Sequence, residues 1–207
     1  MKLLLPLLLI MSIVPVFISL SDSGLQISYG QDEQQNFTAP EFGISMQYPA
    51  RWTFVPAEDK EKEEQDYATG QGASVGTFCP TASLDSILGG PDCGMDVPIR
   101  LALTVYKLEE GTTSKEFYDF KILPFLEKAS NLLGFDRKII ETKNINISGL
   151  AALQIVETRS NSAEENKHIN VFVVNGSKGY NIEVLVGRGY DTYVPTIQKM
   201  IDSFKIE

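Results

Sequence analysis

Apolar and polar side chains alternate through residues 42–48, FGISMQY: Phe42, Ile44, Met46 and Tyr48 take every second position, with Ser45 and Gln47 between them. A period of two describes a strand with one buried face. Pro49 lacks a ladder donor and ends the strand. Trp52 follows soon enough to fold back over the same apolar face, and 52–55 reads as a short second strand. The polar residues 31–35 ahead of this unit read as a mobile leader.

The next stretch, 56–66 (PAEDKEKEEQD), has no apolar period and reads as a solvated loop or frayed helical turn. Residues 70–96 read as loop throughout, with one short strand expected at 74–78. An irregular passage of that length inside a domain marks a functional or poorly ordered excursion. Regular structure resumes at Ile99, where Leu101, Leu103 and Val105 continue a strand face. Thr113 and Glu116 make a capping box. Phe117, Phe120, Leu123, Leu126 and Ala129 then recur at threes, which predicts a buried helical stripe. Pro124 is expected to kink that helix and Gly134 to stop it. Four strands follow at 138–147, 150–158, 168–174 and 180–186, with turns at Ser148-Gly149, 161–167 and the NGSKG segment 175–179. The last helix carries Pro195 in its first turn and turns Tyr193, Ile197, Met200 and Ile201 inward. The fold class is α+β, a twisted, mostly antiparallel sheet flanked by helices.

Charge and the chain's start narrow the setting. Net charge is −9, and it is unchanged when the first thirty residues, with one Lys and one Asp, are left out. Such a surface repels phosphate backbones, so nucleic acid is not an expected partner. Lys2 precedes an apolar run from Leu3 to Leu20 broken by Ser12, Ser19, Pro6 and Pro15, and small residues Ser28 and Gly30 offer a cleavage site before Gln31. Residues 1–30 therefore read as a signal peptide or retained N-terminal anchor, and 31–207 as one domain held outside the cytoplasm, secreted or tethered to the outer face of the membrane. Cys79 and Cys93 are the only cysteines. In an oxidising compartment they read as a disulfide contributing about 3 kcal/mol. A reactive or metal-binding pair needs C-x-x-C spacing or neighbouring histidines, which are lacking.

The opening Phe42-Gly43-Ile44, the corner Tyr48-Pro49-x-x-Trp52, the strand Gly179-Tyr180-x-Ile182 and the closing Tyr193…Met200-Ile201-x-Ser203-Phe204-x-Ile206 resemble PsbP-type domains over about 37–206. The resemblance implies an α-β-α sandwich around an antiparallel sheet. It also implies action by binding other proteins, since members of the family share no reaction. A basic N-terminal arm like that of the plant photosystem subunit is lacking, and the cysteine loop at about 56–97 is an insertion after Trp52.

Candidate chemistry is sparse. Gly72-Ala73-Ser74-Val75-Gly76 fits G-x-S-x-G, yet that motif needs a strand before the serine and a helix straight after it. His168, the single histidine, reads as a surface or strand-end residue. Asp92 and Asp96 are weak calcium candidates without the oxygen density of an EF-hand loop. Asn36, Asn146 and Asn175 head N-x-[S/T] sequons, the acceptor sequence for N-glycosylation. No cofactor is implied. The expected function is an exported, non-catalytic protein-binding or adaptor domain assisting a membrane complex, with Tyr67, Phe78, Leu84, Ile87 and Leu88 of the excursion as its contact surface. Deleting 70–96 is expected to leave a folded domain. The alternatives are a carrier of a small apolar ligand or lipid held near Trp52 and 117–126, and a hydrolase using Ser74.

Overall fold

A computed structural model describes residues 33–58, 60–81, 93, 98–161 and 164–207, all within the unit Asp32–Glu207. The alternation at the start is realised in strand β2 (Ile44–Pro49), where Ile44 and Met46 are buried and Tyr48 half-buried. Phe42 belongs to the preceding turn, and its carbonyl accepts hydrogen bonds from Tyr180 Oη (3.0 Å) and Lys178 Nζ (3.3 Å). The supposed leader is partly ordered: Gln34 and Gln35 open strand β1 (Gln34–Ala39), antiparallel to β2. Its outward residues are polar, and only Phe37 and Ala39 point into the core, so two inward side chains were too few to signal a strand.

Strand β3 (Trp52–Pro56) leads into helix α1 (Lys60–Thr69), and the charged run is therefore helical, not a loop. Its residues are good helix formers, Lys62 pairs with Asp66 one turn on, and Tyr67 packs its ring on Phe42 at 6.2 Å. Strand β4 (Ala73–Pro80) follows, longer than the five residues expected. It lies between β3 and β5 (Ile99–Lys107) inside the main sheet.

Thr113 caps α2 (Ser114–Phe117) with the reciprocal Glu116 bond that its spacing predicted. The kink expected at Pro124 takes the form of a π-helical turn (Tyr118–Ile122) before α3 (Leu123–Leu133). Proline offers no N–H and its ring crowds the carbonyl four residues back, so the backbone widens, and the Leu123 N–H bonds to the Tyr118 carbonyl. The wider turn changes the spacing. Tyr118, Ile122 and Leu126 are buried at intervals of four, with Phe117 buried beside them, while Phe120, expected inside, is 74% exposed. Gly134 ends α3 in the left-handed conformation.

Strands β6 (Asp136–Ile147), β7 (Leu150–Ser160), β8 (Glu165–Asn175) and β9 (Lys178–Val186) form an antiparallel meander. The seven-stranded sheet runs β3-β4-β5-β9-β8-β7-β6, with β6 at its outer edge. Helix α4 (Val194–Asp202) buries Ile197, Met200 and Ile201, and β10 (Lys205–Ile206) completes a three-stranded sheet β1-β2-β10.

Alternation along the strands makes two cores. Ala152, Val156, Val171, Val173, Tyr180 and Ile182 join the small sheet and α4 in the larger one. Leu153, Ile155 and Phe172 face the opposite way, against Phe117, Tyr118, Ile122 and Leu126. Helices thus cover both faces of an antiparallel sheet, an α+β sandwich of α-β-α type.

Candidate functional site

The part of the excursion that forms β4 is interior, with Ala73, Val75, Phe78 and Cys79 buried. Phe78 is 0% exposed and is the hub of an aromatic cluster, with ring centroids 5.2 Å from Phe37, 5.1 Å from Tyr48 and 4.7 Å from Phe54. It is core, not contact surface. Tyr67 is half-buried on Phe42. Leu84, Ile87, Leu88, Asp92 and Asp96 lie outside the described residues. Cys79 and Cys93 form the expected disulfide, with Cα atoms 5.6 Å apart.

The Gly-rich segment has a packing reason. A Cβ at Gly72 would lie 2.4 Å from the Tyr106 ring, and one at Gly76 2.5 Å from the Phe54 ring. Ser74 stands between them inside β4, and its N–H donates to the Glu63 carboxylate. The strand continues to Pro80, so no nucleophile elbow forms. Trp52 packs in the larger core beside Tyr193, whereas Phe117 and Leu126 belong to the smaller core across the sheet. A single apolar ligand cannot lie against both. Among the described residues no group of three or more acidic, histidine or cysteine side chains is placed to hold a metal. No described helix is long and apolar enough to cross a membrane.

The helix-covered face carries a ladder of charges that the sequence reading missed. Glu157 on β7 is 1% exposed, and its carboxylate accepts from Arg137 Nη2 on β6 (2.5 Å) and Arg159 Nε (2.7 Å). Arg159 Nη1 reaches Glu183 on β9 (3.0 Å), and His168 Nδ1 on β8 meets the same oxygen at 3.3 Å. His168 is thus a buried mid-strand residue rather than a surface one. Arg137 and Arg159 stand directly opposite each other, a repulsive pairing that Glu157 bridges. Burial alone would raise the Glu183 carboxyl, but the His168 bond and the Arg159 charge outweigh it and hold it at about 2. Burial, with the Glu183 charge added, pushes the Tyr106 hydroxyl up to about 12. Strand parity could have revealed the ladder: Leu153-Ile155-Glu157, Phe172-Asn170-His168 and Asn181-Glu183 each continue one inward series into polar residues. Arg137 Nη2 also donates to Tyr118 Oη at 3.3 Å, so the ladder ties edge strand β6 and the π turn to the sheet.

Large apolar side chains stay exposed on the two elements that this tie joins. Phe120, Phe125, Leu132 and Leu133 on the helical segment, and Ile139 and Ile140 on β6, are each between 51% and 78% exposed. Phe125 and Leu132, seven apart, share one flank of α3. Ile140 is pushed outward where the β6 register shifts between Ile139 and Glu141. Together these side chains expose on the order of 700 Å², taking about 180 Å² for each fully exposed one; one side of a standard interface buries about 800 Å². Charge is nearly balanced here, with six basic and five acidic residues over 114–143 of a strongly acidic chain. A cleft of about 480 Å³ opens beside Phe120, lined by Thr69, Gly70, Lys107, Glu109 and Lys121.

The architecture defines the class: an antiparallel α-β-α sandwich with a Cys79–Cys93 disulfide at the end of β4. The PsbP-like protein family profile matches residues 10–206, and the chain belongs to that family. Its fold is similar to that of cyanobacterial PsbP (CyanoP) from Synechocystis, with 11% identity over 91% of this chain and 99% of that one and a TM-score of 0.58. It is also similar to LpqN of Mycobacterium tuberculosis, a protein involved in cell envelope biogenesis, with 14% identity over 85% and 86% of the two chains and a TM-score of 0.52. No curated protein matches the sequence.

Proposed function

We propose that this chain is an exported protein-binding domain that acts by docking rather than by catalysis, presenting α3 and the start of β6 to a protein partner in a membrane complex outside the cytoplasm. The observation that carries the reading is the exposed series Phe120, Phe125, Leu132, Leu133, Ile139 and Ile140. Large apolar side chains left exposed in this number on two joined elements favour an interaction site. The Arg137–Tyr118 and Arg137–Glu157 bonds hold its two elements together, as a docking surface requires. Export is supported by the apolar run from Leu3 to Leu20 and by the Cys79–Cys93 disulfide, a bond that persists in oxidising compartments. Docking without chemistry is supported by Ser74, the one nucleophile with a motif, being committed to an inner strand.

The test is co-isolation from solubilised membranes with the full chain and with a Phe125→Ser, Leu132→Ser double variant. Specific proteins should accompany the native chain and be lost from the variant while its circular dichroism is unchanged. Recovery of the same proteins with both chains, or of none with either, would refute the assignment.

A further inference from the structure

We infer that Asn175, at the tip of the β8–β9 hairpin, is an N-glycan acceptor, that Asn36 on β1 is a second, and that the Asn146 sequon is withheld because its serine is hydrogen-bonded to β10. The inference rests on the exported reading above.

The sequence holds nine asparagines, three of them in sequons. All three sequon asparagines are exposed, while the two buried ones, Asn170 and Asn181, lie outside sequons. Acceptance needs more than exposure: the amide nitrogen must be reachable, and the hydroxyl two residues on must be available to the transferase.

Asn175-Gly176-Ser177 meets both needs. Asn175 pairs with Lys178 at the hairpin end, and Gly176, at φ +59°, supplies the left-handed turn without a side chain. Asn175 and Ser177 are exposed, and neither side chain is engaged by another group among the described residues. Asn36-Phe37-Thr38 lies on the edge strand of the small sheet. Residues two apart share a face, so the Asn36 amide and Thr38 hydroxyl point outward together while Phe37 is buried. Asn36 Oδ1 accepts from Gln47 Nε2 (3.4 Å), which leaves Nδ2 outward.

Asn146-Ile147-Ser148 differs. Ser148 is held at φ +55° in the β6–β7 turn, and its Oγ accepts from the Ile206 N–H (3.2 Å) while bonding the Ile206 carbonyl (3.5 Å). Asn146 Oδ1 accepts from the Gly149 N–H at 2.9 Å. Asparagine and serine are thus both committed to closing the turn against β10.

In the transfer, Asn175 Nδ2 bonds to the anomeric carbon of an oligosaccharide carried on a lipid diphosphate. The sugar–phosphate bond breaks, the lipid diphosphate leaves with its electron pair, and one amide proton is released to a base.

The test uses the full chain isolated from its own cells. Enzymatic glycan release in heavy-oxygen water marks each formerly occupied asparagine as labelled aspartate, read by peptide mass spectrometry. Label at Asn175 and Asn36 with Asn146 bare is the expected result. In the same cells Ser177→Ala, which leaves Asn175 in place, should lose the mass of one glycan, as should Asn175→Gln. Bare Asn175 on extracytoplasmic protein, or Asn146 labelled as fully as Asn175, overturns the proposal and leaves the export reading intact. Recovery of the chain in the cytoplasm would overturn export itself.

Discussion

Glu157 is bonded to two guanidiniums in the dry face of the sheet, so losing its charge is felt twice. Glu157→Gln takes the carboxylate from Arg137 and leaves Arg159 with Glu183 alone, and removing one partner of a buried pair costs about 3–5 kcal/mol; urea unfolding should show the drop. Glu183 gives a pH signature. Its carboxyl falls from an ordinary 4.5 to about 2 on folding. The stabilisation is therefore complete above about pH 4.5 and is lost as the pH falls toward 2. Because the side chain is 36% exposed, solvent screening reduces the contribution to about 1–2 kcal/mol. Stability measured between pH 5 and 2 should fall less steeply in Glu183→Gln than in the native chain. Little of this ladder was legible in advance. Glutamate and arginine on a strand ordinarily signify solvent, and only their parity with Leu153 and Ile155 betrays an inward direction.

Among the elements, those with local signals were readable. The Thr113–Glu116 box and the Gly134 stop stand where their chemistry places them. Thr113→Ala should cost about 1 kcal/mol in thermal or urea unfolding. The meander was legible because each strand alternates and each turn has its own residues, as at Ser148-Gly149. The π turn was not: Pro124 announced a disturbance, but three-residue and four-residue spacings fit the same apolar letters until the backbone chooses. Helix α1 and strand β4 were missed for opposite reasons. The charged run forms a helix held through Tyr67, one aromatic among polar residues. The glycines that made 70–76 look like a loop make room for the Tyr106 and Phe54 rings. Gly72→Ala therefore meets the Tyr106 ring at a backbone φ of +97°, and a loss on the order of 2–3 kcal/mol is expected.

For the molecule as a whole, the relocated β4 reverses one expectation. Deleting 70–96 removes a strand paired on both sides, together with the Phe78 hub, so the product should lack cooperative unfolding and near-ultraviolet circular dichroism. The fold class was legible because alternation is a property of the whole chain; the docking surface was not, since exposed apolar residues and core residues look alike in sequence. Phe125 and Leu132 separate the two, for changing both to serine should leave the melting temperature nearly unmoved if they serve only a partner.

The small sheet has a mechanical corollary. Strand β1 begins the described domain on one side of β2, and β10 ends it on the other, with the Glu207 N–H bonded to the Gly43 carbonyl at 2.9 Å. Both ends of the described domain therefore leave from one three-stranded ribbon. Tension applied between those ends would load the β1–β2 ladder and the short β10 clasp in shear, while the seven-stranded slab behind them stays out of the line of force.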